Sequence, residues 1–248
     1  MEFLKAMENW RERTELLVGK EGIEKLSRAH VLVVGLGGVG GYAAEQLCRA
    51  GVGKLTLIDG DTIHPTNRNR QILALVSTEG MDKARLMSDR LKDINPAIEL
   101  NRLSAYLKED QFPPLLDQTY DYVVDAIDTL TPKVHLLAAA FRNGRPVVSS
   151  MGSGGRLHPE KIRIADIADS HHCRFAYIVR KYLHRMGIRT GITVVYSPEP
   201  VGKDAVREIS GEENKRSVVG TISYMPAIFG CYCASVVIRD LLGRKGID

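Results

Sequence analysis

The chain has 248 residues, 44% of them hydrophobic and 26% charged, which is ordinary for a globular protein and enough for one α/β domain with a full core. Its net charge of +4 permits an acidic partner without requiring one. The four cysteines form no C-x-x-C pair and the N-terminal segment has no apolar core, which argues against a zinc site, a disulfide framework and a signal peptide; we expect a reduced, cytoplasmic protein.

Residues 1–29 predict one or two helices in front of the first strand. A partial apolar stripe at helical spacing runs from Leu16 to Leu26, and Gly19 and Gly22 mark a break within it. Arg11 and Arg13 precede the stripe. By themselves they would be interpreted as solvated surface charges.

The segment from His30 to Asp61 organises the chain. The continuous apolar run Val31–Val34 predicts a buried strand, and the sequence G-x-G-x-x-G follows directly at 35–40. Residues 43–50 predict a helix, and a second strand at 55–58 ends at Asp59. This is the mononucleotide-binding half of a Rossmann fold, in which glycines let phosphates approach the backbone and the acid takes the ribose hydroxyls. The alternative is a glycine-rich turn that only packs a helix on a strand.

The loop after this second strand indicates which nucleotide binds. The fingerprint by itself is typical of NAD or FAD sites. Here, however, two carboxylates, Asp59 and Asp61, are followed by five polar side chains in the run N-R-N-R-Q at 67–71. A nicotinamide site needs an apolar slot, whereas arginines suit a third phosphate and the charge that develops in nucleotidyl transfer. We therefore expect ATP rather than NAD.

The next predicted helix spans residues 80–95 and carries Lys83 near its start. Apolar residues recur at spacings of 3, 4 and 3 from Ala84 to Ile94 and define one buried face. A lysine is disfavoured at the positive end of a helix, so we expect an anionic group to face Lys83. A solvated surface lysine is the alternative. A third strand is predicted at 98–103.

Two more strands are predicted at 120–126 and 146–150, with a helix between them that begins near Pro132. Asp125 and Asp128 fall at the carboxyl end of the first of these strands, which is where ligands lie in open α/β sheets. Asp128 is a candidate magnesium ligand beside nucleotide phosphates, or else it caps the following helix. Strands and helices alternate with short connections up to this point. This order predicts a doubly wound, mostly parallel sheet of the α/β class.

The pattern changes after Gly155 and predicts a smaller, partly antiparallel C-terminal part. Strands are predicted at 161–164 and 192–196, on either side of a helix at 175–186. The uncharged stretch Val218–Ile238 is long enough for a membrane span, but Gly220, Pro226 and Gly230 interrupt it. We expect a buried C-terminal helix with Pro226 in its first turn, running to about Leu242, and no membrane partner.

The helix at 175–186 has a basic face. Its buried face is predicted to run from Phe175 to Met186 and to include Tyr182. The stretch from 170 to 198 contains no acid, which makes nucleic acid a reasonable partner, although charged helix faces are usually only solvated. The candidate nucleic-acid contacts are Arg174, Arg180, Lys181, Arg185 and Arg189.

With these residues in view, the chain resembles the ubiquitin-activating-enzyme-like superfamily, whose bacterial members include the MoeB and ThiF proteins. The resemblance implies one adenylating domain over 1–248, with N-terminal helices at 1–29, a nucleotide-binding half at 30–155 and a substrate-side half at 156–248. It implies that ATP is bound by Gly35, Gly37, Gly38, Gly40, Asp59, Asp61, Asn69, Arg70, Gln71 and Lys83. It implies catalytic roles for Arg13, Arg70, Lys83 and Asp128, with Asp128 associated with Mg²⁺ and Arg13 lent across a homodimer interface.

Within the superfamily the chain looks most like the tRNA threonylcarbamoyladenosine dehydratase branch. Matching runs include N-R-N-R-Q, V-V-D-A-I-D-T-L-T-P-K and G-T-I-S-Y-M-P-A-I-F-G. The branch implies ATP-dependent cyclisation of threonylcarbamoyladenosine in tRNA through an acyl-adenylate, and it allows a sulfur-relay protein as a further partner. The zinc pairs of many MoeB- and ThiF-like proteins are missing, and the crossover region offers Cys173 as its one cysteine. Adenylation of a ubiquitin-like sulfur carrier is the main alternative, and an NAD-dependent oxidoreductase is a remote one.

Overall fold

The computed structural model describes residues 10–208 and 217–244, so the first nine and last four residues of the chain lie outside it. The strands are β1 His30–Val34, β2 Lys54–Ile58, β3 Glu99–Leu103, β4 Tyr122–Asp125, β5 Val147–Ser150, β6 Arg163–Asp166, β7 Thr193–Tyr196, β8 Val206–Glu208 and β9 Ser217–Val219. The α-helices are α1 Glu12–Arg28, α2 Gly40–Ala50, α3 Lys83–Ile94, α4 Phe112–Leu116, α5 Leu130–Arg142, α6 Arg174–Arg185 and α7 Tyr224–Leu241.

Seven strands form one sheet in the order β3-β2-β1-β4-β5-β7-β6. All neighbours are parallel except β6, which runs antiparallel to β7, and β8 pairs with β9 in a separate antiparallel hairpin. The predicted fold class, a doubly wound Rossmann-like sheet with a smaller and partly antiparallel C-terminal part, is confirmed. The chain order reverses between β1 and β4. In such sheets the ligand crevice lies outside the carboxyl ends of these two strands.

The central strands β1, β4 and β5 are buried on both faces of the sheet. Successive side chains of a strand point to opposite faces, so each strand contributes to two cores. Val31 and Val33 of β1 join a core that includes α2, α3 and α7. Leu32 and Val34 join a second core with α4, α5 and α6. Burial on both faces explains why β1 is a continuous apolar run rather than an alternating one.

Several predicted boundaries were wrong. The third helix begins at Lys83 rather than at residue 80, because Asp82 is the N-cap and its carboxylate accepts from the Arg85 N–H. Strand β6 is displaced to Arg163–Asp166, since residues 159–161 form a 3-10 turn that starts at a proline. Helix α4 was not predicted. It contains two consecutive prolines, which its first turn tolerates.

The N- and C-terminal helices agree with the sequence analysis. Gly19 adopts φ 77 and ψ 169 and kinks α1, as the predicted break requires. Helix α7 contains Pro226 in its first turn and packs against α2. Among residues 10–208 and 217–244, no helix has the length and apolar character needed to span a bilayer.

Candidate nucleotide-binding site

The glycine-rich turn fits into the crevice between β1 and β4. Gly35 follows β1 with φ 88, and a Cβ built there would lie 2.7 Å from the carbonyl oxygen of Ala126, which follows β4. A Cβ on Gly40 would lie 1.7 Å from the Gly35 oxygen. These two glycines are therefore required by the fold itself, since they allow the turn and the close contact between α2 and the sheet.

Asp59, at the end of β2, holds the turn from the side. Its Oδ2 accepts the Leu36 N–H at 2.6 Å, and its Oδ1 accepts the Asp61 N–H at 2.8 Å. Burial is the main cause that raises the pKa of Asp59 above its usual value, while Lys83 and the two N–H donors act in the opposite direction. The carboxylate thus supports the glycine turn in addition to any contact with a ribose.

Lys83 and Asp61 form an ion pair beside this turn. Lys83 Nζ donates to Asp61 Oδ2 at 2.7 Å, and its side chain is 4% exposed against 44% for that of Asp61. This confirms that an anionic group faces the lysine at the start of α3. The hydroxyl of Tyr106 donates to the other oxygen of Asp61. The two contacts fix the direction of the Asp61 carboxylate.

Arg70 lies on the other side of the crevice. Its Nη1 donates to the Thr66 carbonyl at 3.0 Å and to Asn69 Oδ1 at 2.9 Å. Burial lowers the pKa of Arg70, and the charge of Asp128 opposes this effect. Asn69 in turn donates to the carbonyl of Thr221 at 3.3 Å, so the segment that leads into α7 is attached to this loop.

Gln71 provides a test of whether a nucleotide fits. Its side chain is buried, and Oε1 has no hydrogen-bond partner among the described residues. Its Nε2 would lie 3.6 Å from a Cβ on Gly37, so the space beside this glycine is open even to an alanine. An unpaired buried acceptor next to an open glycine fits a ligand that brings an amino or hydroxyl donor to this position.

Asp128 is exposed beyond the end of β4, and its charge acts on both Arg70 and Tyr106. The N-cap of α5 is Thr129, so the alternative that Asp128 caps this helix is wrong. No cluster of three or more His, Cys, Asp or Glu side chains suited to a metal occurs in the described parts of the chain. One carboxylate is nevertheless enough where Mg²⁺ keeps waters and takes substrate phosphates as its other ligands.

Asp125, which the sequence places beside Asp128, belongs to the core. It is fully buried, and its Oδ2 accepts from Lys133 Nζ at 2.5 Å and from Ser149 Oγ at 2.6 Å. The Ile127 N–H donates to the other oxygen. A buried ion pair with its oxygens hydrogen-bonded has a structural role, and it fixes the path of the chain that leads to Asp128.

Arg13 lies outside this cluster. It is exposed on α1, and no hydrogen bond or ion pair between described residues connects it to the crevice of its own chain. Helix α1 instead packs near the end of α7, where Gly22 lies beside Leu242. An exposed position on α1 agrees with a role at the site of a neighbouring chain.

The basic helix α6 divides into two kinds of residue. Arg174, Lys181, Arg185 and Arg189 are exposed. Arg180 is half-buried, and its Nη1 donates to the Ile167 carbonyl at 3.1 Å and to both oxygens of Ser170. Tyr182 is 41% exposed, so its predicted burial was wrong. The buried residues of α6 are Ala176, Val179 and Leu183.

Two residues of interest were missed. Tyr106 follows β3, and Arg156 follows β5; both lie past the carboxyl end of a strand, and that position was the signal that could have identified them. Arg156 is 4% exposed, although it is always charged.

Comparison with known proteins connects this geometry to a family. The ThiF family model matches residues 11–248. A tRNA threonylcarbamoyladenosine dehydratase of Bacillus subtilis is 38% identical over 237 residues, which cover 93% of each chain. The solved structure of Escherichia coli tRNA N6-threonylcarbamoyladenosine dehydratase in complex with ATP has a TM-score of 0.86 and 32% identity, and the match covers 95% of this chain and 96% of that one.

The similarity to adenylating enzymes of sulfur-carrier proteins is shorter. Molybdopterin-synthase adenylyltransferase of Escherichia coli is 38% identical over 129 residues, which cover 52% of this chain and 51% of that protein. The two groups of relatives therefore share one half of the chain, and the similarity to the dehydratases extends over nearly all of it.

Proposed function

Because the chain belongs to the ThiF family, we propose that it is an ATP-dependent tRNA threonylcarbamoyladenosine dehydratase. It closes the threonylcarbamoyl side chain of the modified adenosine into a ring through an acyl-adenylate. The proposal is supported by a relative of this name whose match covers 93% of the chain and by a solved ATP complex with a TM-score of 0.86.

One structural observation carries the assignment to this chain. The crevice at the end of β1 and β4 brings together Asp59, Asp61, Arg70, Lys83 and Asp128, which come from three separate segments of sequence. Two cations and three carboxylates beside a glycine turn suit a nucleoside triphosphate with its counter-ion.

The reaction has two steps. In the first step, an oxygen of the threonyl carboxylate attacks the α-phosphorus of ATP. The bond between this phosphorus and the oxygen that bridges to the β-phosphate breaks, and pyrophosphate leaves. The carbamoyl oxygen of the same side chain then attacks the activated acyl carbon, AMP leaves with one carboxylate oxygen, and the carbamoyl nitrogen gives up a proton. The second step is intramolecular, so positioning supplies much of its rate. Neither step needs a nucleophilic side chain.

The side chains of the crevice act on charge and position. Arg70 and Lys83 stabilise the negative charge that develops on the phosphate oxygens, and Asp61 holds Lys83 in place. Asp128 would hold Mg²⁺ through its carboxylate, and the ion would supply neutralisation of the phosphate charge. The carboxylate of Asp59 keeps the glycine turn closed under the nucleotide and binds the ribose. Arg13 is supplied by the second chain of a homodimer.

The substrate is the tRNA that carries threonylcarbamoyladenosine, which agrees with the cytoplasmic location expected from the sequence. The exposed cations of α6, together with Arg180, provide its binding surface. A sulfur-relay protein is a further partner of the kind found in this branch. Adenylation of a ubiquitin-like carrier would use the same ATP crevice with a protein-binding surface in place of the RNA-binding one.

Pyrophosphate release tests the function directly. Purified protein is mixed with ATP, Mg²⁺ and tRNA carrying threonylcarbamoyladenosine, and the nucleoside product is analysed by mass spectrometry. We expect release that depends on the modified tRNA and a product lighter by one water. Release with a ubiquitin-like carrier instead of tRNA would support the alternative, and calorimetry showing tighter binding of NAD than of ATP would contradict both.

A further inference from the structure

A cleft opens at the N-terminal end of α6, separate from the nucleotide crevice. Its walls are Ser170 to Arg174, Tyr177 and Arg180, and its volume is about 270 Å³. We call it the α6 cleft. Its lining residues include four histidine or arginine side chains, at 171, 172, 174 and 180, and no carboxylate.

The backbone around the α6 cleft favours an anion. Cys173 is the N-cap of a 12-residue helix and provides no side-chain cap, and the first turn contains no acid. The positive end of the helix dipole therefore lies at residues that line the cleft, without a side-chain cap or an acid to neutralise it. His172 has a φ of 53°, and it is the only non-glycine residue of the described ranges with a positive φ. Strain of this kind concentrates at binding sites.

Arg156 adds an independent observation. Its guanidinium is buried under the cleft, where Nη2 donates to Cys173 Sγ at 3.3 Å. Its Nε and Nη1 are buried without a partner among the described residues. None of the described carboxylates forms an ion pair with this buried charge, and an unpaired buried charge is costly. An anion in the cleft would compensate it across the thiol.

The opposite wall is aromatic. Tyr177 is 56% exposed, and the guanidinium carbon of Arg180 lies 6.0 Å from the centroid of its ring. Arg180 is itself held by Ser170, so the aromatic side chain stands beside a fixed cation. Exposed aromatic rings paired with arginine are platforms on which unstacked RNA bases stack.

The position of the α6 cleft relates it to the reaction. Phe175, in the first turn of α6, lies near Gly152 at the end of β5, and its ring is 5.9 Å from Lys133 Nζ at the start of α5. His171 contacts Tyr196 at the end of β7. The cleft therefore lies at the same carboxyl edge of the sheet as Asp128, displaced toward the substrate-side strands.

We infer that the α6 cleft binds one nucleotide of the RNA next to the modified adenosine, with its phosphate at the N-terminus of α6 near Arg174 and its base stacked on Tyr177. This inference rests on the proposed function, since it assigns a subsite for the tRNA. The exposed lysine and arginines further along α6 would contact only the RNA backbone. The α6 cleft, in contrast, requires an unpaired base.

Binding of a short RNA tests the base contact. The probe is a fluorescently labelled anticodon stem-loop that carries threonylcarbamoyladenosine. Tyr177→Leu is expected to weaken its binding about 10-fold, and Tyr177→Phe to leave it within about 2-fold, because both rings stack. Arg85→Gln, an exposed change on α3 at the opposite face of the sheet, is the control and should have no effect. Equal binding by Tyr177→Leu and wild type would overturn the inference.

Removing the base from the RNA sharpens this test. Stem-loops with an abasic site at each loop position in turn are compared on wild type and on Tyr177→Leu. At one position adjacent to the modified adenosine, loss of the base should weaken binding of the stem-loop by the wild-type protein about 10-fold. The same loss should weaken binding by Tyr177→Leu much less, because this variant already lacks the ring on which the base stacks. If the two losses add at every position, Tyr177 contacts no base.

Arg156→Met tests whether the cleft binds an anion, because it should change the melting temperature and the affinity for the stem-loop in opposite directions. Removal of an unpaired buried charge at similar volume should raise the melting temperature, while binding of the stem-loop should weaken several-fold. A residue with a structural role would lower both. Wild-type affinity in Arg156→Met, or a lower melting temperature with unchanged affinity, would contradict an anion in the cleft.

The two proposals fail in different ways. If the wild-type protein releases no pyrophosphate with modified tRNA, the proposed function is wrong. If wild type is active and binds the stem-loop while Tyr177→Leu and Arg156→Met bind it equally well, the function stands and the α6 cleft is not its subsite.

Discussion

Lys83 Nζ lies 2.7 Å from Asp61 Oδ2, although 22 residues separate them, and the lysine is almost completely buried while the carboxylate is half-exposed. The pair therefore lets a lysine occupy the first turn of α3 despite the helix dipole, with its charge directed at the crevice. Because Tyr106 fixes the same carboxylate, Lys83 is held in place before a substrate arrives.

Replacement of Lys83 by methionine separates its charge from its packing. Lys83→Met keeps the aliphatic part of the side chain in the core and leaves a carboxylate that water can still reach, so we expect a fall in melting temperature of about 2–4 °C. The rate of tRNA-dependent pyrophosphate release should fall about 10²- to 10³-fold, as for loss of a donor that stabilises transition-state charge. Stopped assays of pyrophosphate and differential scanning fluorimetry measure the two effects.

Lys92→Met is the matched control on the same helix. Lys92 is exposed and donates to the carbonyls of Pro96 and Ile98, away from the crevice. It should lose similar stability and keep full turnover. Turnover in Lys83→Met equal to that of this control would remove Lys83 from the catalytic set.

Gly37 and Gly40 make a contrasting pair. A Cβ on Gly37 meets its nearest side-chain atom at 3.6 Å, whereas a Cβ on Gly40 would lie 1.7 Å from the Gly35 oxygen. We expect Gly37→Ala to fold normally and to bind ATP at least 10-fold more weakly by calorimetry, because its methyl group occupies the space where phosphates approach the backbone. Gly40→Ala should lose folded protein instead. Unchanged ATP affinity in Gly37→Ala would mean that the nucleotide lies elsewhere.

Arg70 is expected to act through the geometry of its guanidinium. It is oriented by Thr66 and Asn69 and faces the charge of Asp128. Arg70→Ala should lower pyrophosphate release about 10²- to 10³-fold, and Arg70→Lys should recover little of it, since an ammonium cannot reproduce the two-pronged contact with phosphate. The hydrogen bonds that its side chain donates lie in an exposed loop, so the circular dichroism spectrum of Arg70→Ala should stay unchanged. Wild-type turnover in Arg70→Ala would exclude this role.

Sequence patterns predicted that Asp59 and Asp128 lie at the crevice because these two residues come just after strands. Asp59 ends a continuous apolar run and Asp128 follows another, and ligand-binding residues at the carboxyl ends of parallel strands meet at one edge of the sheet. Contacts that join distant segments leave no such pattern in the sequence. Tyr106 reaches Asp61 across 45 residues, and Arg156 lies under Cys173 across 17.

The helical spacing of apolar residues predicted helix α6, but it did not predict correctly which of its side chains are buried in every case. Tyr182 falls on the edge of the apolar stripe, where the angle alone does not decide whether the ring packs inward, and it is exposed beside Arg185. Arg180 was predicted as an RNA contact from composition, and its hydrogen bonds to Ser170 give it a local structural role as well. Long-range packing settles such cases, and periodicity does not record it.

A mixing experiment tests the composite site of the proposed homodimer. Arg13→Ala and Asp128→Ala chains should each be inactive alone, because each lacks one member of the site. In a mixed dimer the Arg13→Ala chain keeps its own Asp128 and receives Arg13 from its partner, so one of the two sites is intact. With free exchange, activity should return to about a quarter of wild type. No recovery after subunit exchange is demonstrated by native mass spectrometry would argue that Arg13 does not act across the interface.

The exposed cations of α6 predict a strong dependence of tRNA binding on salt. Lys181 and Arg185 are both exposed, and the guanidinium carbon of Arg185 lies 5.2 Å from the Tyr182 ring centroid. Each phosphate contact releases counter-ions and adds about 0.7 to 0.9 to the slope of log affinity against log salt concentration. Lys181→Gln combined with Arg185→Gln should lower this slope by about 1.4 to 1.8 and raise the Michaelis constant for tRNA, with no change in ATP binding.

Arg85→Gln combined with Lys92→Gln on α3, at the other face of the sheet, is the control. It removes the same amount of charge and so tests the effect of the protein's overall charge. If both double variants shift the slope equally, the effect belongs to net charge, and the RNA surface has to be placed on another part of the molecule.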